Sequence, residues 1–176
     1  QRIKAEEDLR KSEERYHRLF EDAVLGIFRS SLDGKNIEVN PAHARMFGYE
    51  SPEEELSLAA DIAHTLYADA GQFAKTLEKT LSSLTPIRSE ILYRRKDGSQ
   101  YLAELAITPV LDGEGRIAHY LGMHRDISEL HRLVSQVRNQ KALIESVVDG
   151  APVALALLDE TGRVVLDNQE YKKLLT

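Results

Sequence analysis

The sequence YRRKDGSQYLAELAITPVLDGEGRIAHYLGMHRDISE, residues 93–129, decides the fold of this chain. Apolar and polar residues alternate along it, and the glycine-containing segments Lys96-Asp97-Gly98 and Asp112-Gly113-Glu114-Gly115 interrupt the alternation. A period of two predicts β-strands, and glycine supplies the positive φ that tight turns need. The stretch therefore predicts three antiparallel strands joined by two turns. The last strand ends at Asp126-Ile127-Ser128, where a helix is expected to begin.

The residues before this stretch predict shorter strands and several helices. Asn40-Pro41 places a capping residue before a first-turn proline, and Ser51-Pro52 does the same. Both pairs are typical of helix starts. In order, the predicted elements are strands at 24–31 and 36–39, helices after Asn40 and Ser51, a longer helix at about 70–83 and a strand at 87–95.

Helices are also expected at both ends of this unit. Residues 1–22 lack glycine and proline and carry Glu–Arg and Glu–Lys pairs four apart, which predicts either a solvated connecting helix or a dimerising coil. After Asp126, apolar residues recur at spacings of three and four over residues 127–149. That spacing predicts a coiled-coil helix, with an amphipathic helix packed on its own domain as the alternative. The stripe consists of Ile127, Leu130, Val134, Val137, Ile144 and Val148.

The chain repeats part of itself. Residues 23–47 reappear at 151–175, so that Ala23 corresponds to Ala151, Gly34 to Gly162 and Asn40 to Asn168 without a gap. Self-similarity of this kind predicts a second copy of the same unit. Because the second copy stops before its long helix and remaining strands, we expect the chain to be part of a longer protein.

Composition excludes several functions. The chain has 176 residues, no cysteine and a net charge of −6, which excludes disulfides and thiolate sites and argues against nucleic acid as the main partner. The absence of cysteine fits a cytoplasmic setting. No apolar run approaches the roughly 20 residues of a membrane span, so no membrane contact is expected for this segment. His119 and His124 lie on opposite faces of a strand and cannot share a metal. No catalytic constellation is recognisable, so this segment is predicted not to be an enzyme.

The strand-rich stretch and its closing Asp126-Ile127-Ser128 resemble a PAS domain, a sensory module of bacterial signalling proteins that ends in an Asp-Ile-Thr signature. Residues 94–158 also resemble the flavin-binding PAS region of the nitrogen-fixation regulator NifL. The resemblance implies an α+β fold: a five-stranded antiparallel sheet with short helices on one face and flanking helices at both ends. The implied segments are a connecting helix at 1–22, a PAS domain at 23–126, a signalling helix at 127–149 and the start of a second, truncated PAS domain at 150–176.

The resemblance also implies a cavity on the inner face of the sheet. Gly122 leaves room there either for a ligand ring or for a neighbouring side chain. His124 would either contact a ligand or bond to a neighbour within the protein. The residues expected at the cavity are Tyr93, Ala103, Leu105, Ile107, Tyr120, Gly122 and His124. Those expected to relay a signal into the helix are Arg125, Asp126, Ile127 and Ser128.

The resemblance to NifL implies FAD as a cofactor, but two residues depart from that pattern. Ile87 and Tyr93 stand where NifL-type domains carry tryptophan and asparagine. The expectation is therefore no cofactor, with FAD as the alternative. The implied function is sensing and relay in a multidomain bacterial signalling protein such as a sensor kinase, homodimeric through its flanking helices and joined to an output domain. The alternatives are a flavin redox sensor and a ligand-free dimerisation spacer.

Overall fold

The structure, a computed structural model, describes residues 2–175 and divides into two compact units after Ser128. Within residues 2–175, none of the helices combines the length and the apolar composition that crossing a membrane requires. The elements in chain order are α1 (Arg2–Glu21), β1 (Gly26–Ser30), β2 (Asn36–Val39), α2 (Pro41–Phe47), α3 (Pro52–Leu58), α4 (Ile62–Thr65), α5 (Ala70–Leu81), β3 (Ile87–Arg94), β4 (Gln100–Leu111), β5 (Ile117–Asp126), α6 (Ser128–Asp149), β6 (Ala156–Leu158), β7 (Val164–Asp167) and α7 (Gln169–Leu174).

The first unit is built on a five-stranded sheet with the order β2-β1-β5-β4-β3. Each neighbouring pair in this sheet is antiparallel. The predicted α+β class and five-stranded antiparallel sheet are therefore confirmed. The last strand in sequence, β5, lies at the centre of the sheet between β1 and β4, so it has a hydrogen-bonded neighbour on both sides.

Asn40 ties three elements of the first unit together. Its side-chain oxygen accepts hydrogen bonds of 2.9 Å from the backbone N–H groups of His43 and Ile27. Its amide nitrogen donates to the carbonyl oxygens of Phe20 and Leu25 at 3.0 Å. Because all four bonds come from one buried side chain, Asn40 fixes the start of α2 relative to β1 and the end of α1.

The second unit repeats this arrangement around Asn168. Its side-chain oxygen accepts from the backbone N–H groups of Leu155 and Tyr171, and its amide nitrogen donates to the carbonyl oxygens of Val148 and Val153. These four partners correspond one by one to those of Asn40 in the sequence repeat. β6, β7 and α7 therefore have the same local geometry as β1, β2 and α2.

The core of the first unit lies between one face of the sheet and helices α2 to α5. Along β4, buried residues alternate with half-buried ones, as the period of two predicts. On β5, Gly122 faces the core, and the ring of Phe28 on β1 occupies the space where a side chain would stand. A Cβ atom at position 122 would lie 2.0 Å from Cζ of Phe28. The glycine is therefore required by a neighbouring side chain.

Gly122→Ala should lower the free energy of unfolding by about 1–3 kcal/mol, because the added methyl group overlaps the Phe28 ring and the packed core cannot yield without strain. Urea unfolding monitored by circular dichroism measures the change. Gly113→Ala is the matched control, since nothing lies within 4 Å of the position of its Cβ atom. Equal stability of the Gly122→Ala variant and the wild type would contradict this packing.

Candidate functional site

A cavity lies between the inner face of the sheet and helices α4 and α5. It leaves about 50 Å³ for the centre of a water-sized sphere, which exceeds the roughly 10–15 Å³ that one water molecule requires. One part of its wall is apolar and includes Ile62, Leu66, Phe73, Leu77 and Ile107. Another part is polar and includes Ser30, Asn36, His43 and Tyr120. The cavity is therefore amphipathic and small.

Three of the seven residues predicted to face a cavity line this one, namely Tyr93, Ile107 and Tyr120. The other four are buried on the same face of the sheet but stand outside the cavity wall; they are Ala103, Leu105, Gly122 and His124. The alternation of apolar residues in the sequence thus identified the inner face of the sheet. The helices packed on that face cover part of it and leave the cavity over the rest. Ligand binding by these residues stays a prediction.

His124 packs against protein groups. A Cβ atom on Gly26 would lie 2.7 Å from its Nε2 atom, so the glycine on β1 makes room for the imidazole. The hydroxyl of Tyr101 is 3.4 Å from Nε2, and Nδ1 has no hydrogen-bond partner among the described residues. Burial first, and then the nearby His43 ring at 4.6 Å, hold the pKa of His124 well below its usual value. The ring is therefore neutral at neutral pH.

The space beside Tyr93 is filled by aromatic rings. The ring centroid of Tyr93 is 5.1 Å from Phe47, 4.9 Å from Tyr67 and 5.7 Å from Tyr101. An isoalloxazine has three fused rings, whereas the open space accommodates only a few water-sized groups. The residues present, in this arrangement, do not fit a flavin. Among the described residues, no group of three or more histidine or acidic side chains is placed to hold a metal ion.

His43 and Glu55 form a buried pair that the sequence analysis did not identify. Nδ1 of His43, on α2, lies 2.9 Å from Oε2 of Glu55, on α3. Burial lowers the pKa of His43 to about 3 and raises that of Glu55 to about 8, against a smaller lowering by the Asn36 side chain. Both groups are therefore neutral near pH 7, and the tautomer of His43 decides which of them donates the hydrogen bond. A histidine inside the apolar segment PAHARMF was the available signal.

The end of β5 is fastened to its neighbours at the start of α6. The Ile127 N–H donates to the carbonyl oxygen of Leu102, and the Leu102 N–H donates to Oγ of Ser128, both at 2.9 Å. Ile127 itself is buried. These bonds bring two of the four predicted relay residues onto β4.

Arg95, which the sequence analysis did not single out, holds Asp126. One of its guanidinium nitrogens is 2.9 Å from Oδ2 of Asp126, and the other donates to the carbonyl oxygen of Met46 at the end of α2. The guanidinium also lies over the Tyr101 ring, 4.2 Å from its centroid. Arg125 pairs separately with Glu104 at 2.8 Å across the strands. The Arg95 side chain thus connects α2, β4 and the end of β5.

Unfolding free energy should fall as pH rises above about 7.5, by up to about 1.4 kcal/mol per pH unit from Glu55. The raised pKa of Glu55 gives stability that is complete below about pH 4.5 and is lost as pH rises through about 8. The lowered pKa of His43 gives stability that is present above 6.5 and is lost as pH falls through about 3. Two buried histidines, His43 and His124, have a lowered pKa. Above about pH 7.5 histidine is neutral in the unfolded chain as well, so there only the Glu55 contribution still changes.

Glu55→Gln should therefore flatten the fall in unfolding free energy above about pH 7.5, measured by urea titration at several pH values. Glu53→Gln, on the exposed side of the same helix, should leave the slope as in the wild type. An unchanged slope in the Glu55→Gln variant would show that Glu55 is ionised in the folded protein.

The sequence and the fold are similar to those of known signalling proteins. The PAS domain family matches residues 21–129. The nitrogen fixation regulatory protein of Klebsiella oxytoca is 33% identical over 159 residues, which are 88% of this chain and 31% of the regulator. The blue-light-activated histidine kinase of Brucella canis is 26% identical over 63% of this chain and 22% of the kinase. The chain thus spans about a third of the length of the regulator that it matches.

Solved structures show the same fold. The PAS domain of a Colwellia psychrerythraea protein superposes with a TM-score of 0.57 at 20% identity, covering 66% of this chain and 97% of that structure. An RNA-binding light-oxygen-voltage receptor superposes with a TM-score of 0.59 at 24% identity, covering 72% of this chain and 36% of the receptor. By its sequence match over residues 21–129 and its five-stranded sheet, this chain belongs to the PAS domain family of sensory signalling modules.

Proposed function

We propose that the chain senses a small molecule or a partner and relays that signal through α6 to an output domain of a multidomain bacterial signalling protein. One observation carries the proposal. Tyr120 in the cavity wall and Asp126 at the exit belong to the same strand, β5. A change in the packing of the cavity therefore acts on the element that continues into α6.

The relay requires two arrangements of the β5 exit with different affinities for the signal. Arg95 can couple α2 to the end of β5, because it contacts both Asp126 and the end of α2. α2 also carries His43, which lines the cavity. A displacement at the cavity thus has two routes to the exit, one along β5 and one through α2 and Arg95.

The similarity of the chain to longer regulators supports a position between other domains. In this proposal, residues 1–22 are a connecting helix, 23–126 a PAS domain, 127–149 a signalling helix and 150–176 the start of a second PAS domain. The matching hydrogen bonds of Asn40 and Asn168 support the second copy. The output domain would be a histidine kinase or a comparable module, in the cytoplasm.

The flanking helices are the proposed homodimer contact. Leu130, Val134, Val137 and Ile144 lie at heptad spacing on α6, and their side chains are between 49% and 65% exposed. An apolar stripe at this spacing is stabilised when a second helix covers it. The open cavity favours a sensor over the alternative of a ligand-free spacer, whose interior would be filled.

Deleting Gln136 and Val137 from α6 in the full-length protein should abolish signal-dependent output. Each residue contributes about 100° of helix rotation, so the deletion turns the downstream stripe by about 200°. Deleting residues 136–142 is the control, because seven residues change the phase by only about 20°. Output activity with and without the stimulus is the measurement. Regulation that survives the two-residue deletion would contradict the relay.

Val137→Glu should raise the dimer dissociation constant at least tenfold, because it places a charge in the apolar stripe. Gln136→Glu is the matched control: it adds the same charge beside the stripe and should leave dimerisation unchanged. Sedimentation equilibrium measures both variants against the wild type. Dimers of equal affinity in the Val137→Glu variant, or a monomeric wild type, would refute the proposed contact.

A further inference from the structure

The cavity wall carries no ionised side chain among the described residues. Aliphatic, aromatic, hydroxyl, amide and imidazole groups form it, without aspartate, glutamate, lysine or arginine. The imidazole belongs to His43, and burial lowers its pKa to about 3, so it is neutral near pH 7. An ion in this cavity would lose its hydration without gaining an opposite charge, which is strongly unfavourable. The wall therefore selects an uncharged occupant.

Tyr120 provides a hydrogen-bond donor without a partner. Its side chain is 1% exposed, and its hydroxyl makes no hydrogen bond with the described residues. Two hydroxyls on α5 that also line the cavity already donate: Thr76 to the carbonyl oxygen of Gln72, and Thr80 to that of Thr76. These two groups can offer lone pairs only. A buried donor without an acceptor is unfavourable, so the Tyr120 hydroxyl marks where an acceptor atom of an occupant would stand.

The size of the cavity limits the occupant further. Its 50 Å³ is about a third of the roughly 150 Å³ cavity that accommodates benzene in another protein. Benzene has six non-hydrogen atoms, so by proportion about two fit without rearrangement, and a molecule of about five requires α5 to move outward. Ile107 and Leu77 provide the apolar contact for the carbon atoms of such a molecule.

We propose that this cavity binds a small, uncharged, amphipathic molecule whose acceptor oxygen receives the hydrogen bond of the Tyr120 hydroxyl and whose carbon atoms contact Ile107 and Leu77. Short ketones, esters and alcohols have this chemistry. The inference rests on the proposed sensory function and specifies its ligand, because the hydrogen bond acts on β5, the strand that leads to α6.

Three probes of equal size and different polarity test the inference. They are 2-butanone, 2-methyl-1-butene, in which a CH₂ group replaces the carbonyl oxygen, and propionate, which is an anion. Each is titrated into the ¹⁵N-labelled chain, and amide chemical shifts are followed. 2-Butanone should cause saturable shifts at Ile107 and Tyr120, whereas propionate should cause none there. Tyr120→Phe should weaken 2-butanone binding roughly 2- to 13-fold, the effect of one hydrogen bond, and leave the affinity for the alkene unchanged.

Propionate binding as tight as that of 2-butanone would overturn the inference, and so would the absence of saturable shifts with every probe or equal 2-butanone affinity in the Tyr120→Phe variant. Failure of the ligand and failure of the relay are distinguishable. If the cavity amides stay unshifted while the two-residue deletion in α6 still abolishes regulation, the relay stands and the ligand class is wrong. If 2-butanone shifts the cavity amides but not that of Ser128, the ligand class is supported and the relay along β5 is wrong.

Discussion

The central position of β5 is the constraint on which the rest of the structure depends. The strand is hydrogen-bonded to β1 over residues 120–124 and to β4 over most of its length, so it cannot move without moving its neighbours. It carries Tyr120 into the cavity wall and ends at Asp126, which Arg95 holds. β5 therefore extends from the cavity wall to Asp126, and the proposed relay uses this strand to reach the start of α6.

The interior of the sheet is largely occupied by the protein itself. Phe28 fills the space over Gly122, and His124 fills the space over Gly26. The remaining volume lies between the inner face of the sheet and helices α4 and α5, and its wall lacks ionised groups among the described residues. The resemblance to flavin-binding relatives thus predicts the architecture of the sheet. It does not predict the chemistry of the cavity, because Tyr93 and its aromatic neighbours occupy the space that the isoalloxazine ring of a flavin would need.

Much of the fold was predictable from local signals. Alternation along residues 99–109 identified the buried face, and Asn40-Pro41 and Ser51-Pro52 identified helix starts that the structure contains. These signals depend on residues close in sequence. Whether Gly122 admits a ligand or a side chain depends on Phe28, which lies on another strand, and no local pattern contains that information.

The same reason explains which site residues the sequence did not reveal. The His43–Glu55 pair joins two short helices, and the Arg95–Asp126 pair joins the connection between β3 and β4 to the end of β5. Periodicity assigns a residue to a face, but it does not say which residue of another element meets it there. The internal repeat, in contrast, did reveal a distant correspondence. Comparison of residues 23–47 with residues 151–175 predicted that Asn168 corresponds to Asn40, and the two make matching hydrogen bonds.

Amide hydrogen exchange at Leu102 and Ile127 tests the attachment of Ile127 and Ser128 to β4 most directly. If Ile127 and Ser128 are hydrogen-bonded to Leu102, both amides should exchange as slowly as that of Gly122 in the middle of β5. It also predicts that Ser128→Ala accelerates exchange at Leu102, whose N–H loses its acceptor, without affecting Gly122. Exchange at Leu102 and Ile127 as fast as in the exposed turn at Gly98 would contradict a mechanical link between the cavity strand and the outgoing helix.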